Sequence, residues 1–230
     1  MKLAMLAEVN TERAARRPVI MITDVGNGEQ RIVKAADIAT DPLSAELDKH
    51  LRMGKSGAVE IDGKKLFFNV YAPTAKLVIV GAVHISQALA PLARSLGYDV
   101  TVVDPRTAFA SPERFPDVPL VAEWPDVALP PLNVDHYTAF VAVTHDPKID
   151  DPALLHAFER KCFYIGALGS RKTHAKRADR LKAQGASEAD IARIHAPIGL
   201  NIGAVSPSEI AVAIMAEITA QLRLPKVNAA

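Results

Sequence analysis

Two histidines and one basic turn are the reactive candidates of this chain. His84 lies in "KLVIVGAVHISQALAPLA", residues 76 to 93, and His145 in "YTAFVAVTHD". The basic turn is "GALGSRKTHAKRADRLK", which carries Gly166, Gly169, Ser170, Arg171 and Lys172. An imidazole can gain or lose a proton near neutral pH. Glycines leading into a helix start with two cations suit an anion, because free backbone N–H groups and the positive helix end point at it.

The stretch around His84 also approaches the turn that binds a dinucleotide pyrophosphate. Gly81 stands at the first glycine position of Gly-x-Gly-x-x-Gly, but Val83 and Ser86 replace the second and third. A branched side chain at the second position disfavours the close backbone approach a pyrophosphate needs. Asp104 follows some twenty residues after the turn, where a ribose-binding carboxylate belongs. Asp-Pro is also ordinary turn chemistry. Arg106 could receive a 2′-phosphate or pair with Asp104. Asp146 could orient the His145 imidazole or simply begin a loop. Lys176, Arg177, Arg180 and Lys182 continue the charge beyond the basic turn and read as a solvated face. Cys162 opens an apolar strand and reads as a packing residue.

These residues need elements to hold them. Residues 74 to 224 alternate buried strands with helices: "KLVIVG", a helix over 84–96, "DVTVVD", "VPLVAE", "YTAFVAVTH", a helix over 151–160, "CFYIGAL", helices over 170–184 and 187–194, and a last helix over 206–223. Continuous apolar strands between helices predict a doubly wound, mostly parallel Rossmann-like sheet of the α/β class. In such sheets ligands sit at the carboxyl ends of the strands, where strand order reverses. Residues 105–131 hold seven of the sixteen prolines and read as extended connections. Residues 1–73 read as a small α+β N-terminal domain. It holds a helix over 1–15, hairpins around Gly26-Asn27-Gly28 and Asp62-Gly63, and a helix that Asp41 could cap, with Pro42 at its first position. Residues 225–230 read as a C-terminal tail.

The composition bounds the function. About half of the 230 residues are apolar, and the formal net charge is +1. That balance argues against nucleic acid as the main ligand. Cys162 is the single cysteine, so no internal disulfide or thiolate metal cluster can form. No secretory signal and no membrane span are expected, which predicts a soluble cytoplasmic protein with no membrane partner.

The segments "VGAVHISQALA", "VTVVDPR", "THD", "YIGALGSRK" and "RIHAPIGLNIGAVSPSEIAVAIMAEI" carry a family resemblance. Over roughly residues 74–222 the chain resembles the XdhC/CoxI family, accessory proteins of xanthine dehydrogenase and related molybdenum hydroxylases. The resemblance implies a cytoplasmic chaperone more than a catalyst. Its cargo would be the molybdenum cofactor (molybdopterin), matured and passed to an apo-hydroxylase. Joined to the strand-end reading, that cargo would sit on a cofactor surface built from Gly81, His84, Asp104, Arg106, His145, Asp146, Gly166, Gly169, Ser170, Arg171, Lys172 and His195, with no resident metal. Family members commonly show Gly-x-Gly-His in the first turn and a "GGC" motif in the N-terminal domain. Here His84 is kept, but Val83 replaces that second glycine, Ser86 stands where a further glycine commonly follows, and residues 1–72 contain no cysteine. A divergent member is implied, with a cysteine desulfurase, a second XdhC-family protein or a homodimer as open alternatives for partners. With 139–144 as the fourth strand, His84 and His145 would face one crevice at the switch point; an NAD(P)-dependent oxidoreductase using that crevice, or a protein-binding assembly scaffold, are the competing readings.

Overall fold

The computed structural model describes residues 2–225. The chain divides into two compact units, Thr74–Leu222 and Met1–Pro73 with the chain from Arg223 onward. The expected tail lies outside the described residues from 226 on.

In the N-terminal unit, α1 (Leu3–Ala14) precedes the hairpin β1 (Val19–Asp24) and β2 (Gln30–Lys34); then come α2 (Ser44–Met53) and the hairpin β3 (Gly57–Ile61) and β4 (Lys64–Tyr71). The four strands form one antiparallel sheet in the order β2-β1-β4-β3. Alternating apolar residues place Ile20, Ile22, Val33 and Phe68 in a core with Leu47 of α2. The second helix begins at Ser44, not at Pro42. The Asp41 carboxylate instead takes the Leu43 N–H and the Arg31 guanidinium, so it serves the preceding turn and β2.

The second unit follows the doubly wound reading. Its strands are β5 (Lys76–Val80), β6 (Asp99–Val103), β7 (Leu120–Val121), β8 (Thr138–Ala142), β9 (Tyr164–Ala167) and β10 (Ile194–His195). All pair in parallel, in the order β10-β9-β8-β5-β6-β7. Counted from β5, this is the 3-2-1-4-5-6 winding of dinucleotide-binding sheets, with the switch point between β5 and β8. Helices α3 (His84–Ser95), α4 (Pro125–Ala128), α5 (Pro147–Glu159), α6 (Arg171–Ala183), α7 (Glu188–Ala192) and α8 (Pro207–Arg223) connect or follow the strands.

Both faces of the sheet are covered, which is why the strand sequences show no polar alternation. Leu77, Ile79, Val100, Val102 and Val141 pack with Leu89 of α3 and with Ile214 and Ile218 of α8. Val78, Val80, Val103, Phe140 and Ile165 pack on the opposite face with Leu154 and Phe158 of α5 and Leu181 of α6. Cys162 sits in this second cluster, 2 % exposed. Burial pushes its thiol up to about 12. The expected outcome with a thiol reagent at pH 7.5 is no labelling of the folded chain and full labelling in denaturant, read by mass. Cys162→Ser should lower the melting temperature, because it buries a hydroxyl in an apolar cluster.

Further elements differ from the sequence reading. The proline-rich stretch 105–131 is not all extended: it holds the one-turn helix α4, with Pro125 at its first position. The fifth helix starts at Pro147, because Asp146 accepts the Lys148 N–H as N-cap and Pro147 suits the first position. The helix expected over 187–194 ends at Ala192, and Ile194 with His195, which reads as loop, forms two-residue β10. It pairs Ile194 with Ile165 and His195 with Gly166, and is too short to show periodicity. The face of α6 expected to be solvated is partly turned inward. Arg177 is 2 % exposed, and Arg180 makes a bidentate pair with Asp151 of α5.

Candidate functional site

The turn after β5 closes on itself. Gly81 has φ +120°, and a Cβ there would stand 2.9 Å from Thr144 Cγ2. Ser86 is fully buried and its hydroxyl donates to the Gly81 carbonyl at 2.5 Å. A serine at the third glycine position therefore ties the helix start to the turn. Asp104, also fully buried, receives four N–H donors: Ala82 N at 2.7 Å, and the Arg106 backbone N, Nε and Nη2 at 2.7–2.9 Å. Burial alone would raise the Asp104 carboxyl, but these donors outweigh it and hold it below its ordinary value. Two carboxylate oxygens offer about four lone-pair sites, so this geometry leaves none for a ribose hydroxyl. Arg106 is paired to Asp104, and its guanidinium lies 4.5 Å from the Phe109 ring centroid. His84 is the exposed first residue of α3.

The next strand ends carry an open cleft of about 470 Å³, within the range of about 300–1,000 Å³ that holds small ligands. It is lined by His145 after β8, by Leu168, Gly169 and Arg171 after β9, and by the loop from Pro197 to Ala204 with Ile210 and Ala213 of α8. The cleft thus joins His145 to the basic turn. His84 is not among its lining residues, so the two histidines do not share it. Ser170 caps α6 by accepting the Thr173 N–H, and Arg171 is the first helical residue. Lys172 is exposed and does not line the cleft. Gly166 lies within β9 rather than in the turn. A Cβ there would meet Ile198 at 2.5 and 2.7 Å and the Tyr164 hydroxyl at 2.7 Å. It lets the cleft loop pack onto the sheet.

His195 belongs to a network that sequence reasoning missed. Its Nδ1 lies 3.0 Å from Glu217 Oε1, and its ring stacks on Tyr164 at 4.8 Å. Glu217 Oε2 accepts the Tyr164 hydroxyl at 2.6 Å and the Gly199 N–H at 2.8 Å. Burial would raise the Glu217 carboxyl; the His195, Tyr164 and Gly199 donors reverse that and leave it below its ordinary value. Burial and Glu217 push the Tyr164 phenol up. Glu217 thereby pins β10, β9 and the cleft loop to α8. Its lowered folded pKa adds stability above the ordinary carboxylate range, lost as pH falls through the folded value. Glu217→Gln should therefore melt earlier than the wild type at pH 7, by roughly 1–3 kcal/mol, with the gap narrowing below pH 4. A pH-independent gap in thermal melts would rule this out. The one signal in the sequence was a glutamate amid the apolar face of the last helix.

Comparison with known proteins gives the family. Residues 77–218 match the model of the XdhC Rossmann domain. The chain belongs to the XdhC family. Over 176 residues it is 34 % identical to the protein YqeB of Escherichia coli (strain K12), covering 74 % of this chain and 32 % of that one. It is 32 % identical over 154 residues to a probable xanthine dehydrogenase subunit of Bacillus subtilis (strain 168), covering 66 % and 44 %. It is also 32 % identical over 154 residues to the molybdenum cofactor insertion chaperone PaoD of Escherichia coli (strain K12), covering 67 % and 42 %. The matched stretches thus span only about a third to under a half of these relatives. A crystal structure of a xanthine dehydrogenase from Bacillus halodurans shares the fold, with TM-score 0.66 and 22 % identity over 99 % of this chain and 66 % of that one. Among the described residues, no helix is long and apolar enough to cross a membrane, and no cluster of three or more His, Cys, Asp or Glu side chains could hold a metal.

Proposed function

We propose that this XdhC-family chain is an accessory protein that binds molybdenum cofactor in the cleft after β8 and β9 and hands it to a xanthine dehydrogenase-type molybdenum hydroxylase. The observation that carries the reading is the cleft itself. It places the α6 N-terminus, Arg171 and His145 on one small-ligand-sized hollow at the carboxyl edge of the sheet. A pterin phosphate would take the helix end and the Arg171 guanidinium. The apolar lining from Leu168, Ile198, Leu200 and Ile210 suits a ring system. The names of two relatives, an insertion chaperone and a dehydrogenase subunit, point the same way.

The chain would act by holding and releasing its cargo. Sulfur delivery would fall to a partner such as a cysteine desulfurase or a second family member, because Cys162 is buried and its thiol is pushed up to about 12. A nucleotide reading is weakened by the commitment of Asp104 and by Val83 in the turn. NADH and NADPH should bind with dissociation constants above about 100 μM, or about −5.5 kcal/mol.

The test is copurification and transfer. Chain expressed with molybdate should carry molybdopterin, detected as its fluorescent oxidation product, and should activate an apo-hydroxylase. Absence of pterin, together with micromolar NADH binding by calorimetry, would replace the cargo reading with the oxidoreductase one.

A further inference from the structure

Two neighbouring strand ends supply walls of the cleft: His145 after β8, and Leu168, Gly169 and Arg171 after β9. Each is held from behind. Asp150, 1 % exposed on α5, accepts the Thr144 hydroxyl at 2.6 Å, the Thr144 N–H at 3.3 Å and the His145 N–H at 3.1 Å. His145 is held at φ +65°, a left-handed conformation uncommon for a non-glycine residue. On the other side, Arg177 of α6 reaches back toward its own helix start and donates from Nη2 to the Leu168 carbonyl at 2.8 Å. The same Nη2 lies 3.8 Å from Asp150 Oδ2. One continuous connection therefore runs from the His145 amide through Asp150 and Arg177 to Leu168.

Stability does not explain this pair. Burial disfavours the charged form of both groups: the Asp150 carboxyl is raised and the Arg177 guanidinium lowered, each only partly offset by the other. Arg177 Nε and Nη1 are also buried with no acceptor among the described residues. A buried ion pair is often no more stabilising than an apolar pair of the same volume, but removing one partner alone is strongly destabilising. What such a pair supplies is geometry.

We infer that the buried Asp150–Arg177 pair is a positioning element for the cleft, tying the His145 wall to the β9–α6 wall and setting the gap a ligand spans. The inference rests on the cleft being the cargo site. Neither side chain lines the cleft, so both act through Thr144, His145 and Leu168.

Three variants of the full chain test it, with molybdenum cofactor as the probe. Arg177→Met strands a buried carboxylate, and its melting temperature should fall by about 5 °C or more. Adding Asp150→Asn removes the stranded charge and should return most of that loss. Cofactor affinity should nevertheless stay about tenfold down in the double variant; the His145 amide is read in Arg177→Lys, where Asp150 still accepts its N–H, and should exchange about tenfold faster there than in the wild type. Arg177→Lys keeps the charge without the fork; it covers the case of a double variant that does not fold, and should hold its stability while losing affinity. Wild-type affinity in either folded variant, or wild-type exchange at His145 in Arg177→Lys, overturns the inference. Failure of the wild type to bind cofactor removes the cargo reading alone, because the His145 exchange comparison still decides the tie.

Discussion

Arg171→Ala should weaken molybdenum cofactor binding about tenfold to a hundredfold, while Lys182→Ala leaves it unchanged. Both are cations of α6, so the comparison isolates position. Arg171 is the first residue of the helix and lines the cleft. A charged hydrogen bond from its guanidinium to a pterin phosphate is worth about 1.5–3 kcal/mol, which is the fold-change expected. Lys182 lies three turns on, where the helix dipole no longer acts, and it is occupied by Glu188 at 2.6 Å. Both residues are exposed, so the affinities must be compared at one ionic strength. A uniformly solvated basic face predicts small and similar losses. Equal effects in a binding titration would remove the anion site from the cleft.

Gly81→Ala should destabilise the parallel-sheet unit by about 2–5 kcal/mol, the sum of backbone strain and forced overpacking. At φ +120° an L side chain is strained whatever the space around it. The added methyl would also stand 2.9 Å from Thr144 Cγ2 and 3.2 Å from the Thr144 backbone nitrogen. The backbone contact cannot be relieved by a rotamer change. Thr144 precedes His145 and is held by Asp150, so the shift would reach the cleft as well. Chemical denaturation should show the loss as a lower midpoint. A change under about 0.5 kcal/mol would mean that the turn relaxes at no cost, contrary to the geometry.

The class of the sheet, parallel and covered on both faces, was legible in the chain; its strand order was not. Runs such as "KLVIV" and "TAFVA" have no polar alternation because both faces are covered, and that pattern separates them from the alternating "GAVEI" near the N-terminus. The sequence also placed Ser170 at a helix start and Arg171 beside it, because capping is local chemistry. Direction of burial was not legible. Arg177 stands in the basic run "RKTHAKRADRLK", and nothing local distinguishes it from Lys176; only the packing of α6 against α5 decides that one faces solvent and the other Asp150. Asp104 could be read as a ribose ligand or as a turn residue, and the choice depends partly on Ala82, twenty-two residues away. The Glu217 network joins Tyr164, His195 and Gly199, up to 53 residues apart, through a helix whose sequence reads as apolar. Helix starts and strand types depend on neighbours in the chain, whereas a side chain's partners depend on which elements the sheet order brings together. That order decided that His145 and Arg171 line one cleft and that His84 does not join them.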